Sequence, residues 1–295
     1  MDEKLTRLKL IDPLIKESGF PLNKEKDKEY EVQGMPNDEG VGYVDYVLWG
    51  DDGLPLAVVE AKRTIRSPKE GKQQAKLYAD CLEKEFGRRP AIYYSNGYEH
   101  WFWDDTNYPS RSVQGFHNKD ELELIMQRKT SRSSLKSKKI NNEIVERSYQ
   151  HEAIRKVTEA FEENNERRSL LVMATGSGKT RVTIALVDLL MKCNWVKRAL
   201  FLADRVSLVK QATKEFGKHL KDVQVVNLLK NPDANGRIYV STYQTILNQI
   251  NRVENNQRKF GIGYFDLVVV DEAHRSIYSK YKGIFQYFDS YLVGL

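Results

Sequence analysis

The feature that most constrains this chain is a glycine-rich loop set between an apolar strand and an amphipathic helix, in the segment SLLVMATGSGKTRVTIALVDLL. Glycines in such a loop let the backbone N–H groups turn inward, where they can hold the phosphates of a nucleotide. The amino end of the following helix adds the positive end of its dipole. The sequence therefore predicts an ATP and Mg²⁺ site built from consecutive residues, namely Thr175, Gly176, Ser177, Gly178, Lys179 and Thr180.

Two residues of this loop have distinct chemical roles. Lys179 supplies a full positive charge to the phosphates, and Thr180 offers a hydroxyl to magnesium. The loop departs from the complete G-x-x-x-x-G-K-[ST] pattern, because Met173 stands where the first glycine is expected. A chance glycine-rich turn is the alternative explanation, and the flanking strand and helix argue against it.

A second apolar segment, FDLVVVDEAHRS, ends in the adjacent carboxylates Asp271 and Glu272. A continuous apolar run is typical of a parallel strand buried on both faces, and ligands bind at the carboxyl ends of such strands. We expect Asp271 to hold magnesium through water and Glu272 to polarise the water that attacks the γ-phosphate. A solvated acidic turn is the alternative, and the presence of Lys179 weakens it.

The loop ATGSGKT and the sequence Asp271-Glu272-Ala273-His274 together resemble the motifs of superfamily 2 helicases and translocases. Further segments resemble other motifs of that superfamily in the same order along the chain. These are ERSYQHEAI with Arg147, Tyr149 and Gln150, resembling the adenine-recognising Q motif; FLADRVSLVKQA with Asp204, Arg205 and Gln211, resembling motif Ia; and VSTYQT with Ser241, Thr242 and Thr245, resembling a strand-end motif that touches DNA phosphates. For single residues of the last two motifs, ordinary strand ends and helix caps explain the pattern equally well.

The first part of the chain contains a predicted hairpin, YVDYVLW and PLAVVEAKR, whose strands carry charged residues inside apolar sequence. Because side chains alternate along a strand, Glu60 and Lys62 share a face, and pairing can bring Asp45 beside them. Such a group can bind Mg²⁺ through Asp45, Glu60 and the Ala61 carbonyl. Lys62 would then stabilise an attacking hydroxide and a pentacovalent phosphate. An exposed, salt-bridged hairpin is the alternative, and the spacing alone leaves both open.

A helix is predicted after this hairpin, from Ser67 to about Phe86. Its expected start is a capping box of Ser67 and Glu70, and its expected end is Gly87. Gln74 and Tyr78 lie four residues apart and therefore share one face, from which they could contact the substrate backbone or position the active-site lysine. A core tyrosine beside a solvent-exposed glutamine is the alternative.

Taken in order, VDYVL, VVEAKR, QAKLY and YYSNG resemble the PD-(D/E)xK nuclease domain at the amino terminus of type I restriction enzyme R subunits. Val44 replaces the proline of the motif, a small departure because the following acid carries the chemistry. The family has a further amino-terminal acidic residue, for which Asp12 and Glu17 are candidates. The resemblance implies an ATP-dependent translocase and endonuclease that cleaves unmodified double-stranded DNA with Mg²⁺, together with methyltransferase and specificity subunits.

We therefore expect an α/β protein with a PD-(D/E)xK-type nuclease domain over residues 1–130 and a RecA-like parallel-sheet P-loop domain over residues 147–295. A basic linker over residues 131–146 is expected from KTSRSSLKSKKINNE, as a solvated tether or a DNA-backbone contact. The resemblance also implies a second RecA-like domain with an arginine finger. Since the sequence stops before it, we expect an amino-terminal fragment that binds nucleotide and hydrolyses it poorly.

Composition limits the function less than the motifs do. The net charge of +6 is compatible with a polyanionic partner and does not establish one. No apolar run approaches the ~20 residues that a bilayer requires, and the amino terminus is charged, so we expect a cytoplasmic protein without a membrane segment. Cys81, Cys193, His100 and His117 lack metal-ligand spacing and are expected to be structural or surface residues.

Two rival hypotheses come from other functional classes. The first is a repair or antiviral helicase whose appended nuclease-like domain does not serve restriction. The second is a non-catalytic DNA-binding module, in which Asp45, Glu60 and Lys62 form a structural salt bridge. The identity of the subunit partners distinguishes the repair or antiviral helicase from the restriction subunit. Loss of magnesium dependence would favour the non-catalytic DNA-binding module.

Overall fold

The computed structural model describes residues 2–254, 257–273 and 279–295, which form two compact units. The first unit comprises Met1–Gln127 and Val253–Ile262, and the second comprises Arg128–Arg252 and Gly263–Leu295. No sequence pattern indicates that the segment 253–262 belongs with the first unit.

The first unit is built on a six-stranded sheet in the order β1-β2-β3-β4-β5-β6. The strands are Lys28–Gln33, Val41–Trp49, Pro55–Ala61, Ala91–Ser95, His100–Trp103 and Arg111–Val113. All neighbours are antiparallel except β3 and β4, which are parallel. The hairpin and the strand at AIYYSNG are thereby confirmed. A two-stranded ribbon, β11 (Val253–Glu254) with β12 (Gln257–Arg258), also belongs to this unit.

The helices of the first unit are α1 (Glu3–Thr6), α2 (Asp12–Glu17), α3 (Lys72–Phe86) and α4 (Lys119–Ser131), the last of which contains the boundary between the units. Between α1 and α2, the residues Arg7–Ile11 form a π-helical turn, where the sequence predicts continuous α-helix. Pro13, at the start of α2, explains the wider turn, because proline cannot donate a backbone hydrogen bond and its ring crowds the carbonyl four residues earlier.

Helix α3 connects the parallel strands and packs on the sheet, where Ala75, Ala79 and Leu82 meet Val58 and Ile92. It ends at Gly87 in the left-handed conformation, as predicted. Its start differs from the prediction.

The predicted capping box at the start of α3 is wrong. The Ser67 side chain makes no capping hydrogen bond, and Pro68–Gly71 form a 3₁₀ turn ahead of the helix. Glu70 pairs with Arg66 instead, at 3.3 Å. Proline at the first position favours the tighter turn because its φ is fixed.

His100 is a buried structural residue whose Nδ1 lies 2.8 Å from the Ser95 Oγ. Burial lowers the pKa of this imidazole to about 4, from its ordinary 6.5. Between pH 6.5 and pH 4 the imidazole is protonated in the unfolded chain and neutral in the folded chain. The free energy of unfolding therefore has its highest value above pH 6.5 and decreases as the pH drops toward 4. We predict a loss of about 2 kcal/mol by pH 5. Urea unfolding at pH 7 and pH 5 measures it, and an equal pH dependence in His100→Gln would contradict the assignment.

The second unit contains a six-stranded sheet in the order β7-β14-β13-β8-β10-β9, and every neighbouring pair is parallel. In chain order the strands are β7 (Arg168–Leu170), β8 (Ala199–Ala203), β9 (Val225–Asn227), β10 (Ile238–Thr242), β13 (Leu267–Val270) and β14 (Tyr291–Gly294). The helices are α5 (Ser148–Glu162), α6 (Lys179–Lys192), α7 (Val206–His219), α8 (Tyr243–Ile250) and a short helix at Lys282–Tyr287. The parallel sheet predicted from the buried apolar runs is confirmed.

The segment 131–146, expected as a linker, lies within the second unit. Four apolar side chains in it are buried: Leu135, Ile140, Ile144 and Val145. The Arg155 guanidinium donates to the Leu135 carbonyl at 2.8 Å, and the Trp195 indole donates to the Ser133 carbonyl at 3.0 Å. The four buried apolar side chains follow no helix or strand periodicity and are surrounded by polar residues, so the sequence does not predict their burial.

The structure also bears on the two cysteines and on the expectation of no membrane segment. Cys81 and Cys193 are both buried and free, as expected of small apolar side chains. Within the described ranges, no helix combines the length and the apolar composition needed to cross a membrane.

Candidate functional site

The hairpin brings Asp45 of β2 against the end of β3. The Ala61 N–H donates to Asp45 Oδ2 at 2.7 Å, and the neighbouring pair Tyr46 and Val59 is in register. The second carboxylate oxygen, Oδ1, accepts from Arg7 Nη1 at 2.9 Å. Both oxygens of Asp45 are therefore fixed by the protein, and the predicted approach of Asp45 to the Glu60 strand is confirmed.

Glu60 and Lys62 meet in the same place. Glu60 is only 3% exposed, and Lys62 Nζ lies 2.5 Å from its Oε1. Lys62 follows the last residue of β3, so its side chain reaches Glu60 from just beyond the strand rather than by alternation along it. Lys62 Nζ also donates to Gln74 Oε1 at 3.2 Å, and Gln74 Nε2 donates to the Tyr78 hydroxyl at 2.7 Å. The face of α3 that carries Gln74 and Tyr78 thus orients the lysine.

Ionisation of the Asp45 and Glu60 carboxyl groups is disfavoured in this site. Burial, followed by the charge of Asp45, raises the pKa of Glu60 to about 8, against the opposing effect of Lys62. Burial also raises the pKa of Asp45, against the Ala61 N–H and Arg7. Two crowded, buried carboxylates are stabilised by an added cation.

The donor atoms of this cluster fit Mg²⁺. Carboxylate and carbonyl oxygens are hard ligands, and Mg²⁺ uses one or two carboxylates while keeping several waters. Among the residues that the structure describes, no group of three or more His, Cys, Asp or Glu side chains is placed to hold a metal ion. Asp45 and Glu60, with the Ala61 carbonyl, are the residues that would hold Mg²⁺ here, and their role as metal ligands stays a prediction.

Sequence reasoning missed three charged residues of this site. Arg7 donates to Asp45 and to Glu29, and the charge of Glu3 helps to raise the pKa of both Asp45 and Glu60. Glu3 and Arg7 lie four residues apart on the first helical segment, and this spacing is the sequence feature that indicates a shared helix face.

The two candidates for the additional acid are engaged elsewhere. Asp12 is buried and accepts from the Tyr46 hydroxyl at 2.7 Å and from Lys28 Nζ at 2.5 Å. Glu17 pairs with Arg258 at 2.8 Å. The amino-terminal acid whose charge acts on both site carboxylates is Glu3.

Gly71 allows the turn before α3 to approach this cluster. A Cβ atom at Gly71 would lie 2.8 Å from Glu60 Cγ and 3.1 Å from Lys62 Cε. Gly71→Ala is therefore expected to destabilise the fold by about 1–3 kcal/mol, in urea unfolding, by displacing both side chains. Gly217→Ala, on the exposed side of α7 with no atom within 4 Å, is the matched control and should stabilise by roughly 0.5–1 kcal/mol. Wild-type stability in Gly71→Ala would contradict the close approach.

The phosphate loop has the geometry that its glycines allow. Gly176 and Gly178 have φ angles of 79° and 91°, in the left-handed region that other residues rarely adopt. Ser177 turns back on the loop, and its N–H and hydroxyl both donate to the Ala174 carbonyl, at 3.2 and 2.6 Å. Helix α6 begins at Lys179 directly after the loop, as predicted.

The Q-motif residues contact this loop. Gln150 Nε2 and the Tyr149 hydroxyl both donate to the Ser177 carbonyl, at 3.0 and 2.9 Å. A Cβ atom at Gly178 would lie 2.6 Å from Gln150 Nε2, so a larger residue there would displace the glutamine amide. Gln150 therefore fixes the conformation of the loop, and its adenine contact stays a prediction.

Asp271 follows β13 at its carboxyl end. Its pKa is raised by burial and then by Glu272, while Lys179 opposes the shift, so the loop lysine acts on this carboxylate. Its carbonyl accepts from the Tyr243 hydroxyl at 2.7 Å. Glu272 has a φ of 57°, an unusual backbone for a glutamate. His274 of the same motif lies outside the described residues.

The predicted DNA-contacting residues divide into two groups. The Arg205 side chain is 77% exposed and its Nε lies 3.4 Å from Asp204 Oδ2, so its DNA contact stays a prediction. Ser241 is fully buried and donates to the Thr242 carbonyl at 3.1 Å, which corrects the expectation of a phosphate contact from its side chain. Thr242 caps α8, its hydroxyl accepting from the Thr245 N–H at 3.3 Å.

Two family models match successive parts of the chain. Residues 29–111 match the family described as "Type I restriction enzyme R protein N terminus". Residues 143–295, just over half of the chain, match the family described as "Type III restriction enzyme, res subunit".

Similar curated proteins include two Escherichia coli subunits. The type I restriction enzyme EcoAI endonuclease subunit is 32% identical over 277 residues, which cover 83% of this chain and 32% of that protein. The EcoKI endonuclease subunit, from strain K12, is 28% identical over 290 residues, which cover 79% of this chain and 24% of that protein. The chain thus spans about a third and a quarter of the lengths of these relatives.

A solved structure is also similar to the chain. It is described as a fragment of a candidate HsdR subunit of a type I restriction enzyme from Vibrio vulnificus YJ016. It is 26% identical, with a TM-score of 0.38, and the match covers 100% of this chain and 55% of that one.

Proposed function

The chain belongs to the family of restriction-enzyme R subunits, and from that premise we propose that it is the ATP-driven, DNA-cutting subunit of a type I restriction enzyme. The observation that carries the proposal is the meeting of Asp45, Glu60 and Lys62 at the end of a hairpin. The phosphate loop in the second unit supplies the ATP-binding part of the same proposal.

The first unit cuts DNA by phosphodiester hydrolysis. Asp45, Glu60 and the Ala61 carbonyl would hold Mg²⁺, which supplies Lewis-acid polarisation of the phosphate and a more acidic bound water. Lys62, held by Glu60 and Gln74, places its ammonium where negative charge develops on the attacked phosphate. Tyr78 keeps Gln74 in this orientation through the hydrogen bond between their side chains.

The second unit binds and uses ATP. The N–H groups of the loop and Lys179 would hold the β- and γ-phosphates, and Thr180 and Asp271 would hold the magnesium ion of the nucleotide. Glu272 orients the attacking water. Gln150, which donates to the Ser177 carbonyl of the loop, would contact the adenine, as the Q-motif resemblance implies. ATP hydrolysis then drives movement along double-stranded DNA, with Arg205 among the residues that contact the backbone.

The protein works with methyltransferase and specificity subunits, which recognise the site and its modification. The test is cleavage of an unmodified and a modified plasmid by the protein at its natural full length, with and without those subunits, in Mg²⁺ and ATP. Cutting confined to the unmodified plasmid, and dependent on the subunits, ATP and Mg²⁺, is the expected result. Cutting that needs neither ATP nor the subunits would contradict the proposal, and absence of cutting would favour a binding role for the first unit.

A further inference from the structure

The segment from Lys62 to Lys72 is strongly basic and directly follows the catalytic strand. It contains five cations, Lys62, Arg63, Arg66, Lys69 and Lys72, and one carboxylate, Glu70, so its net charge is +4 in eleven residues. The net charge of all 295 residues is +6. Positive charge is thus concentrated beside the residues proposed to cut DNA.

Two tryptophans of β5 hold the lysines of this segment in place. Lys69 Nζ lies 4.3 Å from the ring centroid of Trp101, and Lys72 Nζ lies 4.3 Å from that of Trp103. A cation over an indole face is attracted by the ring and loses rotational freedom before any ligand arrives. The two ammonium groups are therefore preorganised at defined points of the surface.

The strand register locates these lysines relative to Glu60. Glu60 pairs with Tyr94 on β4, and Tyr94 pairs with Trp101 on β5. Directly paired residues project from the same face of a sheet, and Trp103 shares that face because it lies two residues beyond Trp101. With strands about 4.8 Å apart, β5 lies roughly 10 Å from β3. The lysines and the catalytic carboxylate thus share one face.

The basic segment also packs against the cluster itself. Gly71, between the two lysines, approaches the cluster so closely that a Cβ atom would collide with Glu60 and crowd Lys62. Arg63, Arg66 and Lys69 are exposed. Within residues 2–254, 257–273 and 279–295, Arg66 pairs with Glu70 at the surface, and neither Lys69 nor Lys72 has a carboxylate at ion-pair distance. Their charges are available to a ligand.

The other basic segment of the chain is more fully engaged by its own unit. Residues 129–139 contain Lys136, which pairs with Glu163 at 2.8 Å, and Arg132, whose guanidinium lies over Trp195 at 4.7 Å. Nothing places that segment on a sheet face with catalytic side chains, so the Lys62–Lys72 segment is the stronger candidate for a nucleic-acid surface.

We propose that the segment Lys62–Lys72, supported by Trp101 and Trp103, binds the phosphate backbone of duplex DNA beside the bond to be cut. We call these residues the basic strip. One strand of DNA carries a phosphate every 3.4 Å along the helix axis, so a span of roughly 10 Å corresponds to about three nucleotides. The inference rests on the proposed nuclease function and supplies the surface that holds the strand across the catalytic cluster.

The test is binding of a labelled duplex of about 30 base pairs, with Ca²⁺ in place of Mg²⁺ to prevent cutting, over a series of salt concentrations. The double variant Lys69→Ala with Lys72→Ala should bind on the order of 10-fold more weakly. Its plot of log affinity against log salt should be shallower by about 2, because each phosphate contact contributes roughly 0.9 to the slope. Lys69→Arg with Lys72→Arg should keep the affinity and the slope, since both charges remain.

Lys26→Ala is the matched control, because Lys26 Nζ lies 4.0 Å over Trp49 in the same unit and outside the basic strip. Its DNA affinity should equal that of the wild type. Wild-type affinity and slope in the double alanine variant would overturn the inference, as would an equal loss in Lys26→Ala. Acetylation of the wild type with and without DNA gives a second measurement that needs no variant. DNA should protect Lys69 and Lys72, and unprotected lysines would also overturn the inference.

Plasmid cleavage by the same wild-type preparation separates this inference from the proposed function. Loss of affinity in the double alanine variant, with a wild type that does not cut, would support the basic strip and refute the nuclease proposal. A cutting wild type with unchanged affinity in the double variant would overturn the basic strip alone.

Discussion

Lys179→Ala is expected to bind ATP far more weakly than the wild type, and every ATP-dependent activity of the protein should fall with it. The lysine begins α6 at the end of the loop that is proposed to bind phosphate, and it is the only fully charged residue in the sequence from Thr175 to Thr180. Removing a charge-assisted contact of this kind costs about 3 kcal/mol, or roughly 100-fold in affinity. Titration with a fluorescent ATP analogue in Mg²⁺ measures the change.

The control for this variant lies on the same helix. Lys192, in the last turn of α6, forms a surface pair with Asp188 at 2.7 Å, far along the helix from the loop. Lys192→Ala should bind the nucleotide as the wild type does, because an exposed pair of this type contributes little. Wild-type nucleotide affinity in Lys179→Ala would show that the loop is not the ATP site.

Lys62→Ala is expected to cut DNA far more slowly than the wild type while it retains ATP hydrolysis. The ammonium contacts Glu60 and Gln74 and is the cation proposed to stabilise the attacked phosphate, so its loss should slow cutting by about 10²–10³-fold or more. Phosphate release and the appearance of linear plasmid are measured in the same reactions. Lys84→Ala, in the last turn of α3, is the control and should cut normally.

The fold should tolerate the loss of Lys62. Burial and the charge of Asp45 raise the pKa of Glu60 against the opposing effect of Lys62, so removing this cation raises the pKa further and favours the neutral carboxyl. No uncompensated buried charge is left behind. Equal loss of cutting and of ATP hydrolysis in Lys62→Ala would contradict the separation of the two chemistries.

The parts of the sites that the sequence predicts depend on short-range geometry. Asp45, Glu60 and Lys62 belong to one hairpin, and strand pairing alone brings them together. Gly176 and Gly178 adopt positive φ angles, which residues with a Cβ atom rarely adopt. The same property makes a glycine-rich loop recognisable in the sequence. Gln74 and Tyr78 share a helix face because their spacing is that of one helical turn.

The parts that the sequence does not predict depend on contacts between distant segments. Arg7 donates to Asp45, which lies 38 residues further along the chain. Arg7 also begins a π-helical turn, which the spacing of apolar residues does not predict. Ser241 looks like a strand-end hydroxyl in sequence, but the sheet buries it completely. The Gln150 contact with Ser177 also requires the tertiary fold, because 27 positions separate the two residues.

The central claim is that the first unit cuts DNA and the second unit consumes ATP. The most direct measurement is a time course of plasmid cutting and phosphate release in one tube, with the required subunits present, for the wild type, Lys62→Ala and Lys179→Ala. We predict that the wild type cuts and hydrolyses ATP, that Lys62→Ala hydrolyses ATP without cutting, and that Lys179→Ala does neither. Cutting by Lys62→Ala at the wild-type rate would contradict the claim.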